Sequence, residues 1–174
     1  KENGFVDILM VATTAGAFIF RQESDNADNF LDKITAQQNF YLSLNRNINK
    51  YFLLRPHPVD FGWGYKERWI DFAVGKIRFD SNVEFYKSLV SCKVYVSNFI
   101  STTWLEAFYL DVPVVLFFDL ERYFIVDEVR KIFEELRKVG IFHATAESAA
   151  GFLNENYENL EQWWGMRETK AAAD

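Results

Sequence analysis

From Val6 to Ala12 the chain is apolar apart from Asp7, the pattern of a strand buried on both faces. Thr13 to Gly16 follows as a small-residue turn. Ser24 or Asp25 can then cap a helix whose apolar positions (Phe30, Ile34, Tyr41 or Leu42, Leu44, Ile48) recur at helical spacing. Tyr51 to Arg55 reads as a second strand, ended by Pro56, which cannot donate to a sheet ladder. Residues 59–75 read as a glycine- and aromatic-rich loop with a helical turn over Lys66 to Phe72. Ile77 to Phe79 is expected as a short edge strand. Asn82 is expected to cap a helix carrying Val83, Tyr86, Leu89 and Val90.

Lys93 to Ser97 is the next strand, and Thr102 to Leu110 the next helix. Pro113 to Phe118 is the most strand-like run in the chain. Glu128 to Lys138 places Val129, Ile132, Phe133 and Leu136 on one helical face, and Gly140 ends that helix. A short strand at Ile141–Phe142, helices over Glu147 to Glu155 and Glu158 to Arg167, and a frayed or truncated end at Ala171 to Asp174 complete the pattern. Strands and helices alternate, and no run of strands occurs without helices between. The implied fold class is α/β: one Rossmann-like domain over residues 1–174, a parallel sheet with helices on both faces. Ligands of such sheets bind beyond the carboxyl ends of the strands, where the strand order reverses.

Composition narrows the function. Of 174 residues, 49% are hydrophobic and 18% aromatic, which suits a packed core and excludes a disordered chain. The net charge of −6 argues against sequence-independent nucleic-acid binding, but not against a local phosphate pocket. Cys92 is the only cysteine and is expected to pack in the core. With two histidines besides, the chain suits neither a disulfide nor a structural zinc site, and no metal or other cofactor is expected. No apolar run reaches the roughly 20 residues of a membrane span, and no signal peptide is visible. A cytoplasmic protein is expected, with room for peripheral association at the inner membrane face. The chain starts at Lys1 without a Met, and a strand follows almost at once, as expected of a piece of a longer protein.

Two turns carry candidate chemistry. Ser97 to Thr103 joins a strand to a helix and ends in three hydroxyls, Ser101, Thr102 and Thr103. Unpaired N–H groups at a helix start attract anions, and hydroxyls add donors there. Thr103 and Glu106 equally fit a capping box that needs no ligand. In Arg55-Pro56-His57-Pro58, two fixed φ angles hold the histidine, and Arg55 beside it can fork onto phosphate oxygens. Arg55 and His57 are expected on one side of the strand. Thr13, Thr14, Arg21 and Asn98 are candidate cleft contacts, and Asp119 fits a helix cap.

The RPHP turn after one strand, SNFISTTWLEA after another and the Pro-led strand Val112 to Asp119 together resemble the C-terminal half of GT-B glycosyltransferases. The tail (Gly140 to His143, Ala149-Ala150, Asn154 to Tyr157, Trp163-Trp164) is similar to the LIC12162-type transferases of surface carbohydrate biosynthesis. The turn motifs also resemble the donor site of Kdo- and sialyl-type transferases and of teichoic-acid polyol-phosphate transferases. The resemblance implies a donor-binding domain of a metal-independent glycosyltransferase in bacterial surface polysaccharide biosynthesis. Its donor would be a nucleotide-activated sugar, with CMP-linked sugars among the candidates. The implied roles are His57 as catalytic residue and Arg55, His57, Ser101, Thr102 and Thr103 around the donor phosphate. Glu106 and His143 would sit near ribose or base. A glycan or lipid-linked acceptor would reach the site through an N-terminal domain outside this chain, without which catalysis is not expected. Serines often stand in the Kdo- and sialyl-type pattern where this chain has Thr102 and Thr103. Two further readings stay open: a CDP-activated polyol-phosphate transferase, and a non-catalytic module that binds a phosphorylated metabolite or docks a partner.

Overall fold

The computed structural model describes residues 7–14 and 27–174. The expected turn through Gly16, the cap at Ser24 or Asp25, and Arg21 lie outside the described residues. Five strands form one sheet: β1 (Ile8–Val11), β2 (Phe52–Arg55), β3 (Val94–Ser97), β4 (Val114–Phe117) and β5 (Phe142–His143). Their order is β2-β1-β3-β4-β5 and every pairing is parallel. All residues of β1, β3 and β4 are buried, which is why β1 and β4 are unbroken apolar runs; β3 departs from this at Ser97 and at the Tyr95 hydroxyl.

The chain runs outward from β1 to β2, then crosses back past β1 to β3. The strand order therefore reverses between β1 and β3, and the turn after β3 opens at that point. Helix α1 (Ala27–Ser43) covers one face of the sheet, where Phe40 stacks on Phe117 at 5.1 Å between ring centroids. Helix α6 (Asp127–Lys138) covers the other face, where Phe133 meets Phe118 at 5.4 Å and Phe142 at 5.1 Å. Between them in sequence come α2 (Arg46–Asn49), α3 (Tyr65–Phe72), α4 (Phe85–Ser91) and α5 (Thr103–Tyr109). After β5 come α7 (Ala146–Asn156), packed beside α1, then α8 (Leu160–Trp164) and α9 (Arg167–Ala173), the last packed on α6. Gly140, at φ 83°, turns the chain from α6 into β5. A Cβ there would lie 2.6 Å from the Phe152 ring.

Several expected elements differ. The helix expected to run to Ile48 breaks after Ser43. Asn154 of α7 donates its side-chain N–H to the Ser43 carbonyl at 2.8 Å, and its side-chain oxygen accepts from the Asn45 N–H at 2.7 Å. These bonds replace the helical partners of both groups. Residues 77–79 make one parallel bridge, Phe79 to Leu54, in place of a strand. Glu84, not Asn82, precedes α4; the Asn82 side chain instead donates to Ser88 Oγ at 3.1 Å. The end of the chain is helical, not frayed. In α9, Thr169 is buried, and Lys170 pairs with Asp111 and lies 5.0 Å from the Trp164 ring centroid.

Candidate functional site

The turn after β3 is built around a buried phenol. Tyr95, central in β3 and fully buried, bonds Thr103 Oγ1 at 2.6 Å, and Thr103 Oγ1 bonds Ser101 Oγ at 2.7 Å. Burial pushes the Tyr95 phenol up, so it remains a neutral hydroxyl. Three hydroxyls thus form a chain from the core to the half-buried Ser101, at the carboxyl end of a central strand. If Tyr95 donates to Thr103 and Thr103 to Ser101, outward from the core, Ser101 is left with an O–H to offer beyond the chain. Thr102 is exposed and precedes α5 without a side-chain cap bond. The expected Thr103–Glu106 capping box is therefore not formed, because the Thr103 hydroxyl goes to Tyr95 and Ser101.

His57 stands two residues beyond β2, exposed, between Pro56 and Pro58. Its Nδ1 lies 3.1 Å from the Val59 N–H and 3.0 Å from the Val59 carbonyl. With the proton on Nε2, Nδ1 accepts from Val59, and Nε2–H is a donor without a partner among the described residues. The loop that carries it is pinned by Asp60. One carboxylate oxygen accepts from the Gly62 and Trp63 N–H groups at 2.9 and 2.7 Å, the other from the Tyr65 N–H at 3.1 Å. Burial works against this carboxylate. The amide donors of Tyr65, Trp63, Gly62 and Gly64 outweigh it and hold the Asp60 pKa below the usual range. An Asp followed by two glycines was the available signal for this anchor, and sequence reasoning missed it.

Arg55 does not face the same space as His57's free nitrogen. Its guanidinium donates to Asp80 Oδ2 at 2.5 Å, the Asn82 carbonyl at 2.9 Å, Ser88 Oγ at 3.1 Å and the Val83 carbonyl at 3.2 Å. With internal acceptors all round, Arg55 is a clamp between β2 and the start of α4. Its expected role at a phosphate gives way to that geometry.

His143 is likewise engaged internally. Its Nε2 lies 2.9 Å from the Gly140 carbonyl and its Nδ1 3.0 Å from Ser148 Oγ. Burial lowers its pKa, against the pull of the Gly140 carbonyl. It borders no groove of the site. Asn98 is buried, donating to the Lys33 carbonyl at 2.9 Å and accepting from Gln37 at 2.8 Å; Gln37 in turn accepts from Tyr65 OH at 2.6 Å. Its side chain ties α1 to the turn and is not free for a ligand. Glu106 is exposed on α5, in a shallow patch with Tyr86, Thr102, Leu105 and Tyr109. Thr13 and Thr14 are half-buried at the end of β1, with Thr13 Oγ1 3.4 Å from the Thr14 carbonyl. Asp119 accepts from the Glu121 N–H at 3.0 Å, the helix-cap role expected of it.

His57 and the hydroxyl chain share the carboxyl edge of the sheet, with β1 between their strands. Two strand spacings separate those strands, about 10 Å. Beyond β3, a groove of about 950 Å³ opens between α1 and the loops after β4 and β5. Among the described residues no group of His, Cys, Asp and Glu could hold a metal ion, and no helix is long and apolar enough to cross a membrane.

Comparison with known proteins agrees with the architecture. A crystal structure of the catalytic domain of cholesterol-α-glucosyltransferase from Helicobacter pylori is similar, with a TM-score of 0.53 at 12% identity. The likeness covers 95% of this chain and 96% of that one, and it bears on the fold. No curated protein matches the sequence. A family model described as LIC12162 family transferase matches residues 1–174.

Proposed function

Because the chain belongs to the LIC12162 family of transferases, we propose that it is the donor-binding domain of a glycosyltransferase that uses a nucleotide-activated sugar without a metal. Building a surface polysaccharide, at the cytoplasmic side of the membrane, is the role we assign to that transfer. The observation that supports the reading is the hydroxyl chain Tyr95–Thr103–Ser101 at the strand-order reversal, on the same carboxyl edge of the sheet as an exposed, loop-fixed His57. A nucleotide laid across the end of β1 would reach both.

The chemistry is charge stabilisation. As the glycosidic bond breaks, negative charge grows on the departing phosphate. A hydrogen bond aimed at that charge is stronger in the transition state than in the ground state. We assign that hydrogen bond to Ser101, backed by Thr103 and Tyr95, and to the Nε2–H of His57. A phosphate beside His57 would also favour the imidazolium, which donates more strongly. The acceptor and its general base are assigned to a separate domain.

Thermal shift with CMP, CDP, UMP and UDP tests donor binding. A bound nucleotide at about 100 times its dissociation constant adds roughly 2.7 kcal/mol. At least one of the four should raise the melting temperature, and His57→Ala and Ser101→Ala should each diminish the shift. Four flat responses would refute the reading. If only CDP binds, and glycerol phosphate from CDP-glycerol is transferred in place of a sugar, the polyol-phosphate alternative replaces it.

A further inference from the structure

The groove beyond β3 has a chemical character of its own. α1 supplies Asp32 and Asn39 to one wall; the loop after β4 supplies Asp119 and Phe124, and the first turn of α7 supplies Glu147, to the other. Among the described residues, three carboxylates (Asp32, Asp119, Glu147) line it against two cations (Lys33, Arg122). Arg122 is committed to carboxylates: it donates to Asp32 at 2.5 Å, bridging the two walls, and lies 3.8 Å from Asp119. Among the described residues an entering anion would meet more carboxylates than cations, with Arg122 already paired, and would give up hydration against that net negative lining. A hydroxylated neutral ligand meets the opposite situation. Carboxylate oxygens and the Asn39 amide oxygen accept hydroxyl hydrogens. Phe124 is fully exposed at the mouth and offers a flat apolar face to sugar C–H groups. Aromatic surface with a few convergent polar groups, in a cleft at the upper end of the roughly 300–1,000 Å³ usual for small-molecule sites, is ligand-binding architecture.

We infer that this groove is a saccharide subsite selective for an uncharged pyranose over an acidic sugar. The assignment deepens the glycosyltransferase reading and rests on it for the origin of the sugar. The turn that ends in Ser101 also supplies Asn98 and Ile100 to the groove wall. A donor whose phosphate sits at the hydroxyl chain therefore directs its sugar across the end of β3 into the groove. Donors carrying an acidic sugar, such as CMP-sialic acid, are disfavoured, and nucleotide-linked neutral hexoses favoured.

Saturation-transfer NMR on the chain with methyl glucoside, methyl N-acetylglucosaminide and methyl sialoside tests this. At least one neutral glycoside should bind, with the sialoside roughly tenfold weaker or undetected. Phe124→Ala and Glu147→Gln should each weaken the neutral glycoside by up to about tenfold, the scale of one lost stacking or polar contact. Both positions are exposed, so melting temperatures should stay near the parent value. No binding by either neutral glycoside, binding indifferent to both substitutions, or a preference for the sialoside would overturn the assignment. Glycoside binding without any nucleotide binding would uphold the subsite and remove only its link to a nucleotide donor.

Discussion

A single hydroxyl ties the turn after β3 to the core of the sheet. Thr103 receives the buried phenol of Tyr95 on one side and Ser101 on the other. Thr103→Val keeps the shape and strands the phenol, and an unsatisfied buried hydroxyl costs about 1–3 kcal/mol. Urea denaturation should show that loss, while Thr103→Val combined with Tyr95→Phe should lose less than the two single changes added together. Additive losses would mean that the chain is not a coupled unit. His143 carries a separate, pH-dependent signature. Its folded-state pKa is depressed from the ordinary 6.5 by burial, so the unfolded chain takes up a proton first as pH falls. The stability it contributes is complete above pH 6.5 and declines below it, until the pH passes the folded-state value. Melting curves of the parent should weaken on going from neutral pH toward pH 5, and His143→Gln should flatten that decline; an unchanged decline would contradict the burial of the ring.

Among the elements, β2 and α4 are joined through one guanidinium. Arg55 and Asp80 side chains are 15% and 2% exposed, so either left alone becomes a buried, uncompensated charge. Breaking such a pair costs about 3–5 kcal/mol. Arg55→Met should therefore unfold at markedly lower urea concentration, and Arg55→Met with Asp80→Leu should recover much of the loss. If instead Arg55→Met left stability untouched and abolished nucleotide binding, the phosphate role first expected of Arg55 would be restored. Asp80 adds acid sensitivity. Burial raises its pKa, but hydrogen bonds from Ser88, Asn82 and Arg55 prevail and hold it below the ordinary 3.8. Its stabilisation is present above the unfolded-state value and is lost as pH falls through the lower, folded one.

On the scale of the whole molecule, the faces of the sheet are sealed by aromatic contacts between layers. Phe117 lies between β4 and Phe40 of α1. Phe117→Ala should cost about 3–5 kcal/mol, a large share of the roughly 5–15 kcal/mol that holds a domain folded. Circular dichroism should show it partly unfolded at temperatures where the parent is native, and an unshifted melting curve would mean that the layers are held elsewhere. The same sealing leaves the carboxyl edge of the sheet as the open surface, which is where His57, Ser101 and the groove lie.

The strands were legible before any fold was known, because a strand buried on both faces must be apolar throughout, as Ile8–Val11 and Val114–Phe117 are. So was α6, whose apolar face repeats at helical spacing up to a glycine that turns the chain. The RPHP and Ser-Thr turns were legible as turns at strand ends. What each polar side chain does inside them was not. Arg55 meets Asp80, Asn45 meets Asn154 and Thr103 meets Tyr95 only after the sheet is assembled. Local pattern is written in the periodicity of one segment, and burial enforces it. The partner of a polar group is chosen by three-dimensional proximity, between residues whose separation along the chain carries no regular signal.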